Sequence, residues 1–124
     1  MKHTESQLQQ NVIQWAAYSK HKEILRFLHH SPNGGKRNPR EAARFKAEGT
    51  KAGFPDLFLP VPVKGYHGLF IEMKAGSNKT TETQDEWIHF LKLQGHAVYV
   101  CYSDLEAIKI LDDYLSGRMR RDEL

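Results

Sequence analysis

Cysteine is nearly absent from this 124-residue chain, with Cys101 the single example. That excludes a disulfide framework and a cysteine-built zinc site. Cys101 lies inside the apolar run "HAVYVCYS" and reads as a buried, reduced thiol. No apolar stretch approaches the roughly 20 residues that a membrane-spanning helix needs. The opening "MKHTESQLQQ" lacks the apolar core of a secretory signal, so the expected location is cytoplasmic. The closing "RDEL" looks like an ER-retention signal, but with no secretory signal before it we read it as coincidence. Repeats, low-complexity tracts and linkers are also missing. The expectation is one domain over residues 1–124, with a basic, frayed tail from about Gly117. A Gly-rich phosphate loop of recognised spacing is absent too, which argues against a hydrolase of small phosphorylated metabolites.

Charge is present in both signs, with 18 Lys and Arg against 15 Asp and Glu, a net charge of +3 and a pI near 9.0. So mild an excess points to a polyanionic partner only if the charge is clustered. The pattern predicts eight elements. Thr4 and Gln7 form a capping box for a helix carrying Leu8, Val12, Trp15 and Ala16 on one stripe. "EILRFLHH" is expected to be a strand and "SPNGGKRN" a loop. Asn38 caps a helix "PREAARFKAE" that stops at Gly49. "DLFLPVPV" is a strand broken toward its end by prolines, so it should lie near an edge or lead into a turn. "HGLFIEMKA" is the returning strand of a hairpin. Thr81 and Gln84 cap a helix through "DEWIHFLKLQ", "HAVYVCY" is a strand, and Ser103 caps "DLEAIKILDDYLS". The order α-β-α-β-β-α-β-α gives an α/β fold, a mixed β-sheet flanked by helices.

Three carboxylates sit oddly in that frame. Glu5 falls on the apolar stripe of the first helix, Asp56 opens an apolar strand after a Gly-Phe-Pro turn, and Glu72 lies within "LFIEMKA". Strand alternation puts Glu72 and Lys74 on one face, with Ile71 and Met73 on the other. The hairpin brings this strand's end back beside Asp56. Two carboxylates that close cannot both stay ionised without a cation between them. Carboxylate oxygens, a backbone carbonyl and water suit Mg²⁺ or Mn²⁺. Any one of these residues alone would be unremarkable, as a turn aspartate or a solvated Glu-x-Lys face; the combination is what points to a metal centre.

"GFPDLFL" followed by "LFIEMKA" resembles the PD-(D/E)XK nuclease superfamily, and the chain is most similar to its VRR-NUC family, whose small stand-alone members occur in phages and bacteria. Glu5, Gly53-Phe54-Pro55-Asp56, Glu72-Met73-Lys74 and Gln84 stand in the family's order, over roughly residues 4 to 115. The resemblance implies a restriction-endonuclease-like core and Mg²⁺- or Mn²⁺-dependent cleavage of DNA phosphodiesters. It also implies selectivity for branched DNA such as four-way junctions, and a homodimer. It makes Asp56, Glu72 and the Met73 carbonyl metal ligands, with Glu5 completing the shell directly or through water. Lys74 would then orient the attacking water. Gln84 matches the family's helix-start residue and equally fits a plain capping partner.

Lys36, Arg37, Arg40, Arg44, Lys46 and Lys51 crowd the approach to Asp56, interrupted only by Glu41 and Glu48. We read them, with Lys79, as phosphate contacts rather than a solvated face. His29 and His30 would point to opposite sides of a strand, and structural roles are expected for both. The rival readings are a non-catalytic DNA-binding or assembly module on a nuclease fold, and a restriction-type endonuclease.

Overall fold

The computed structural model describes residues 3–32 and 38–121. Helix α1, Glu5–Tyr18, starts where expected. Thr4 Oγ1 accepts from the Gln7 N–H at 3.1 Å, and Gln7 Oε1 accepts from the Thr4 N–H at 2.9 Å, closing the capping box. Leu8, Val12 and Ala16 form its buried stripe.

The predicted strand "EILRFLHH" is corrected. Its first half is a one-turn helix, α2 (Lys22–Leu25), and only His29–His30 forms a strand, β1. Leu25 and Leu28, three apart, meet the core, whereas Ile24 and Phe27 are 42% and 58% exposed. Helical spacing satisfies that burial pattern and alternation does not. Helix α3, Pro39–Ala47, is capped by Asn38, whose Oδ1 accepts from the Glu41 N–H at 2.8 Å. Strand β2 is only Leu57–Leu59 and stops at Pro60, which has no N–H to continue a ladder. It is second from the edge, beside a β1 that pairs only with Leu57 and Phe58, so it lies near an edge as expected. Strand β3 (Leu69–Met73), helix α4 (Glu82–Leu93), strand β4 (Ala97–Cys101) and helix α5 (Asp104–Leu115) complete the chain.

The four strands lie in the order β1-β2-β3-β4. β1 and β2 are antiparallel, as are β2 and β3, while β3 and β4 are parallel across the α4 crossover. The α/β class with a mixed sheet flanked by helices is thus observed. Alternation along β3 divides the interior. Leu69, Ile71 and Met73 pack with Leu57, Leu59, Cys101 and the apolar faces of α1 and α5. Phe70 turns the other way, onto Val98, Leu91 and the half-buried Phe54, Phe58, Trp87 and Ile88 of the α4 side. Phe58 and Phe70, cross-strand partners, stack at 4.3 Å. Burial pushes the Cys101 thiol up to about 12, consistent with an inert core cysteine.

At the start of the tail Arg118 bridges Asp113 at 2.8 Å and Asp112 at 2.7 Å, and Met119 packs on the core. Hydrogen bonds from His21 to Asp112 and from Lys109 to Asp113, each joined by Arg118, hold both aspartates below the usual carboxylate range. His21 also bonds Asp112, at 2.9 Å, which clasps the end of α1 to α5.

Gly53 is the tightest backbone approach. Its φ is +90°, and a Cβ there would sit 2.6 Å from the carbonyl of Thr83 in the first turn of α4. Gly76, with φ +60°, has open space around it. Gly76→Ala should therefore cost about 1–2 kcal/mol, the ordinary left-handed penalty. Gly53→Ala should cost clearly more, because α4 has to move. Paired thermal melts check this, and equal losses would mean that the contact with α4 is unimportant.

Candidate metal and nucleic-acid site

Asp56 immediately precedes β2, and the antiparallel register pairs Leu57 with Ile71. One step further along that register, Asp56 faces Glu72 across the hairpin, on the same side of the sheet. Glu72 is 3% exposed and its carboxyl is pushed up to about 9. Burial is the main cause, followed by a hydrogen bond with Asp56 and the negative charge of Asp56. The Lys74 charge pulls the other way, and Glu5 adds a further repulsion. Two carboxyls are therefore pressed together, Glu72 buried and Asp56 half-buried, and a proton on Glu72 relieves their repulsion.

The surrounding groups fix this pair. Asp56 Oδ2 accepts from the Met73 N–H at 2.7 Å. The Asp56 main-chain carbonyl accepts from the Ser31 N–H at 2.9 Å and from His30 Nδ1 at 2.9 Å. His30 thus has the structural role expected of it, as the anchor of Asp56. Gln84 makes two contacts at the start of α4. Its Oε1 accepts from the Thr81 N–H at 2.9 Å as a capping-box partner, while its Nε2 donates to Glu72 Oε2 at 3.3 Å. Lys74 is 6% exposed, its N–H extending the β3–β4 ladder to the Cys101 carbonyl at 2.9 Å.

Glu5 is half-buried at the start of α1 and accepts from Asn78 Nδ2 at 3.2 Å. It is near enough to raise Glu72 but stands outside the central pair. Among the described residues no three His, Cys, Asp or Glu side chains close into a cage. A cation held by Asp56 and Glu72 would therefore complete its shell with backbone carbonyl and water, a donor set that fits hard divalent ions. Asn78 and Ser31 escaped the sequence reading. Their contacts join residues 73 and 25 positions apart, and no local pattern signals that.

Lys36 and Arg37 lie outside the described residues. Arg40 and Arg44 are exposed one helical turn apart on α3, which buries no residue, and the Arg44 guanidinium rests 5.0 Å over the Phe45 ring. Lys46, Lys51 and Lys79 are exposed as well. Phe45 lines a cleft with Phe54 and Trp87, so α3 stands on the α4 side of the sheet, the side that carries Glu72.

Among the described residues no helix is long and apolar enough to cross a membrane. No curated protein matches the sequence. A solved chain described as a VRR_NUC domain protein is similar to this one with a TM-score of 0.80 and 34% sequence identity, over 93% of this chain and 90% of that one. The VRR-NUC domain profile matches residues 1–105, from before α1 to the first turn of α5, and every member of the carboxylate site lies inside that span. The chain belongs to the VRR-NUC domain family, a nuclease-type family.

Proposed function

We propose that this protein is a Mg²⁺- or Mn²⁺-dependent endodeoxyribonuclease that hydrolyses phosphodiester bonds. The observation that carries the reading is the apposition of Asp56 and Glu72 on one face of the hairpin, with buried Lys74 two residues along the same strand face. Selectivity for branched DNA such as four-way junctions, and action as a homodimer, rest on the motif resemblance alone.

Asp56, Glu72 and the Met73 carbonyl would hold the cation, with Glu5 completing its shell directly or through water. When bound, the ion polarises the phosphoryl oxygen and lowers the pKa of a coordinated water. The rest of the work falls to the protein. Gln84 orients the Glu72 carboxylate, the Met73 N–H orients Asp56, and His30 and Ser31 keep the Asp56 backbone from drifting. The Lys74 ammonium positions the attacking water and offsets charge building on the phosphate. Arg40, Arg44, Lys51 and Lys79, with Lys36 and Arg37, neutralise flanking phosphates. The rival module without catalysis would have no use for a strained carboxylate pair beside a buried lysine.

Asp56→Asn and Lys74→Ala should each lower cleavage by about a hundredfold or more while circular dichroism stays unchanged. Labelled linear, flapped and four-way DNA, incubated with Mg²⁺, Mn²⁺ or EDTA, reads both the loss and the substrate preference. Full activity of either pure variant would remove that residue from the site.

Arg40→Ala should leave the chemistry intact and flatten the logarithmic salt dependence of DNA binding by about 0.9. An unchanged slope would take Arg40 off the phosphate path.

Glu72 also ties stability to pH. Its folded-state pKa, about 9, lies above its ordinary 4.5, so between those values the native state holds a proton that the unfolded chain has released. Metal-free stability should therefore fall as pH rises through that window. Glu72→Gln should melt higher than the parent at pH 8 without metal, by about 5 °C. Mg²⁺ should raise the melting temperature of the parent and not of the variant. A parent that ignores both pH and Mg²⁺ would contradict the shared-cation reading.

A further inference from the structure

We propose that the cleft between Trp87, Phe90 and Lys51 takes up an unpaired nucleobase of the strand entering the carboxylate site. This rests on the nuclease reading and adds what the DNA does beside the reacting phosphate. Two adjoining hollows, of about 460 and 540 Å³, share Lys51 and Trp87. Phe45 and Phe54 wall the first, while Phe90, Thr83 and Glu86 wall the second.

Trp87 is half-buried and held by its edge. Its Nε1–H donates to the Ala52 carbonyl at 3.1 Å, and Phe54 and Phe90 meet it nearly perpendicular, at 4.9 and 6.2 Å. An indole fixed in this way loses little freedom when a base stacks on it. Phe90, 51% exposed, offers a second ring at the mouth. The cleft and the carboxylate pair lie on either side of one contact. Ala52 leads into Gly53-Phe54-Pro55-Asp56, and Thr83 precedes the Gln84 that grips Glu72. Asp56 stands four positions after Ala52, at most about 14 Å of chain, the reach of a few nucleotides.

The charges select the occupant. Lys51 at the shared edge, and Arg40, Arg44 and Lys46 on α3, suit the phosphates of an incoming strand. Glu86 repels a phosphate from the outer hollow yet can accept from the amino group of a base. A second copy of the chain would have to bury both Lys51 and Glu86, which is costly without matched partners. A base with its backbone phosphate outside satisfies every wall, and stacking of this kind tolerates any base.

Trp15 and Trp87 are the chain's two tryptophans, so Trp15→Phe leaves Trp87 as the sole indole reporter. In EDTA, where cleavage plays no part, this variant is titrated with flush duplex and with the same duplex bearing an unpaired arm, and binding is followed by anisotropy. The arm-bearing DNA should quench Trp87 and the flush duplex should not. Phe90→Ala, at an exposed position, should weaken binding of the arm-bearing DNA by about tenfold and spare the flush duplex. Binding without quenching, or equal losses on both DNAs, overturns this inference and leaves the nuclease reading standing. Failure of the parent to bind either DNA overturns both. A change in Trp87 emission with protein concentration alone, accompanied by a doubled mass in light scattering, gives the cleft to a second copy and overturns the nucleobase.

Discussion

A half-buried aspartate held against a buried glutamate forms the constraint around which this site is organised. Left alone, such a pair has to keep a proton, and the elevated Glu72 carboxyl is that requirement expressed in the metal-free chain. A divalent cation meets the same requirement while adding the Lewis acidity that phosphodiester hydrolysis calls for. The pair is thus destabilised in a way that a bound cation would relieve, and the contacts around it keep it from relaxing by other means.

That restraint comes from three directions. The hairpin register sets Asp56 across from Glu72, and the stacked Phe58–Phe70 pair resists slippage, since a one-residue shift would turn the Glu72 side chain to the opposite face. Strand β1 is only two residues long, yet it supplies His30, and with Ser31 it clamps the Asp56 carbonyl. Helix α4 arrives from the far side, seated on Gly53, and lays Gln84 on Glu72. Short elements suffice because each is anchored to the next by a bond to the site itself.

The basic segment contributes differently. Helix α3 buries none of its residues, so little burial stabilises it, and its exposed arginines remain available to a polyanion. Phe45 lines the cleft that it shares with Phe54 and Trp87. On the proposed reading, chemistry would sit on the sheet and substrate capture on a lightly held helix, so that a strand could be gathered without disturbing the carboxylates.

Much of this was legible in the linear chain. The capping boxes at Thr4 and Thr81, the alternation through "LFIEM" and the turn ahead of Asp56 are local signals, and they place the helices, the hairpin and the Asp-Glu-x-Lys group without any knowledge of distant contacts. "EILRFLHH" was misread because a short apolar run fits either period until the core shows which residues it needs, here Leu25 and Leu28. The ion pairs of Arg118 had no local signal, because it finds its aspartates only once α5 has formed. Residue type and spacing determined which side chains could meet a metal, because backbone geometry converts sequence separation into facing over a few residues. How deeply Glu72 is buried, how hard Asp56 presses on it, that His30 and Gln84 close around them and that Asn78 holds Glu5 was decided only by tertiary packing. Desolvation and long-range hydrogen bonds depend on which distant segments come together, and no local stretch of chain carries that information.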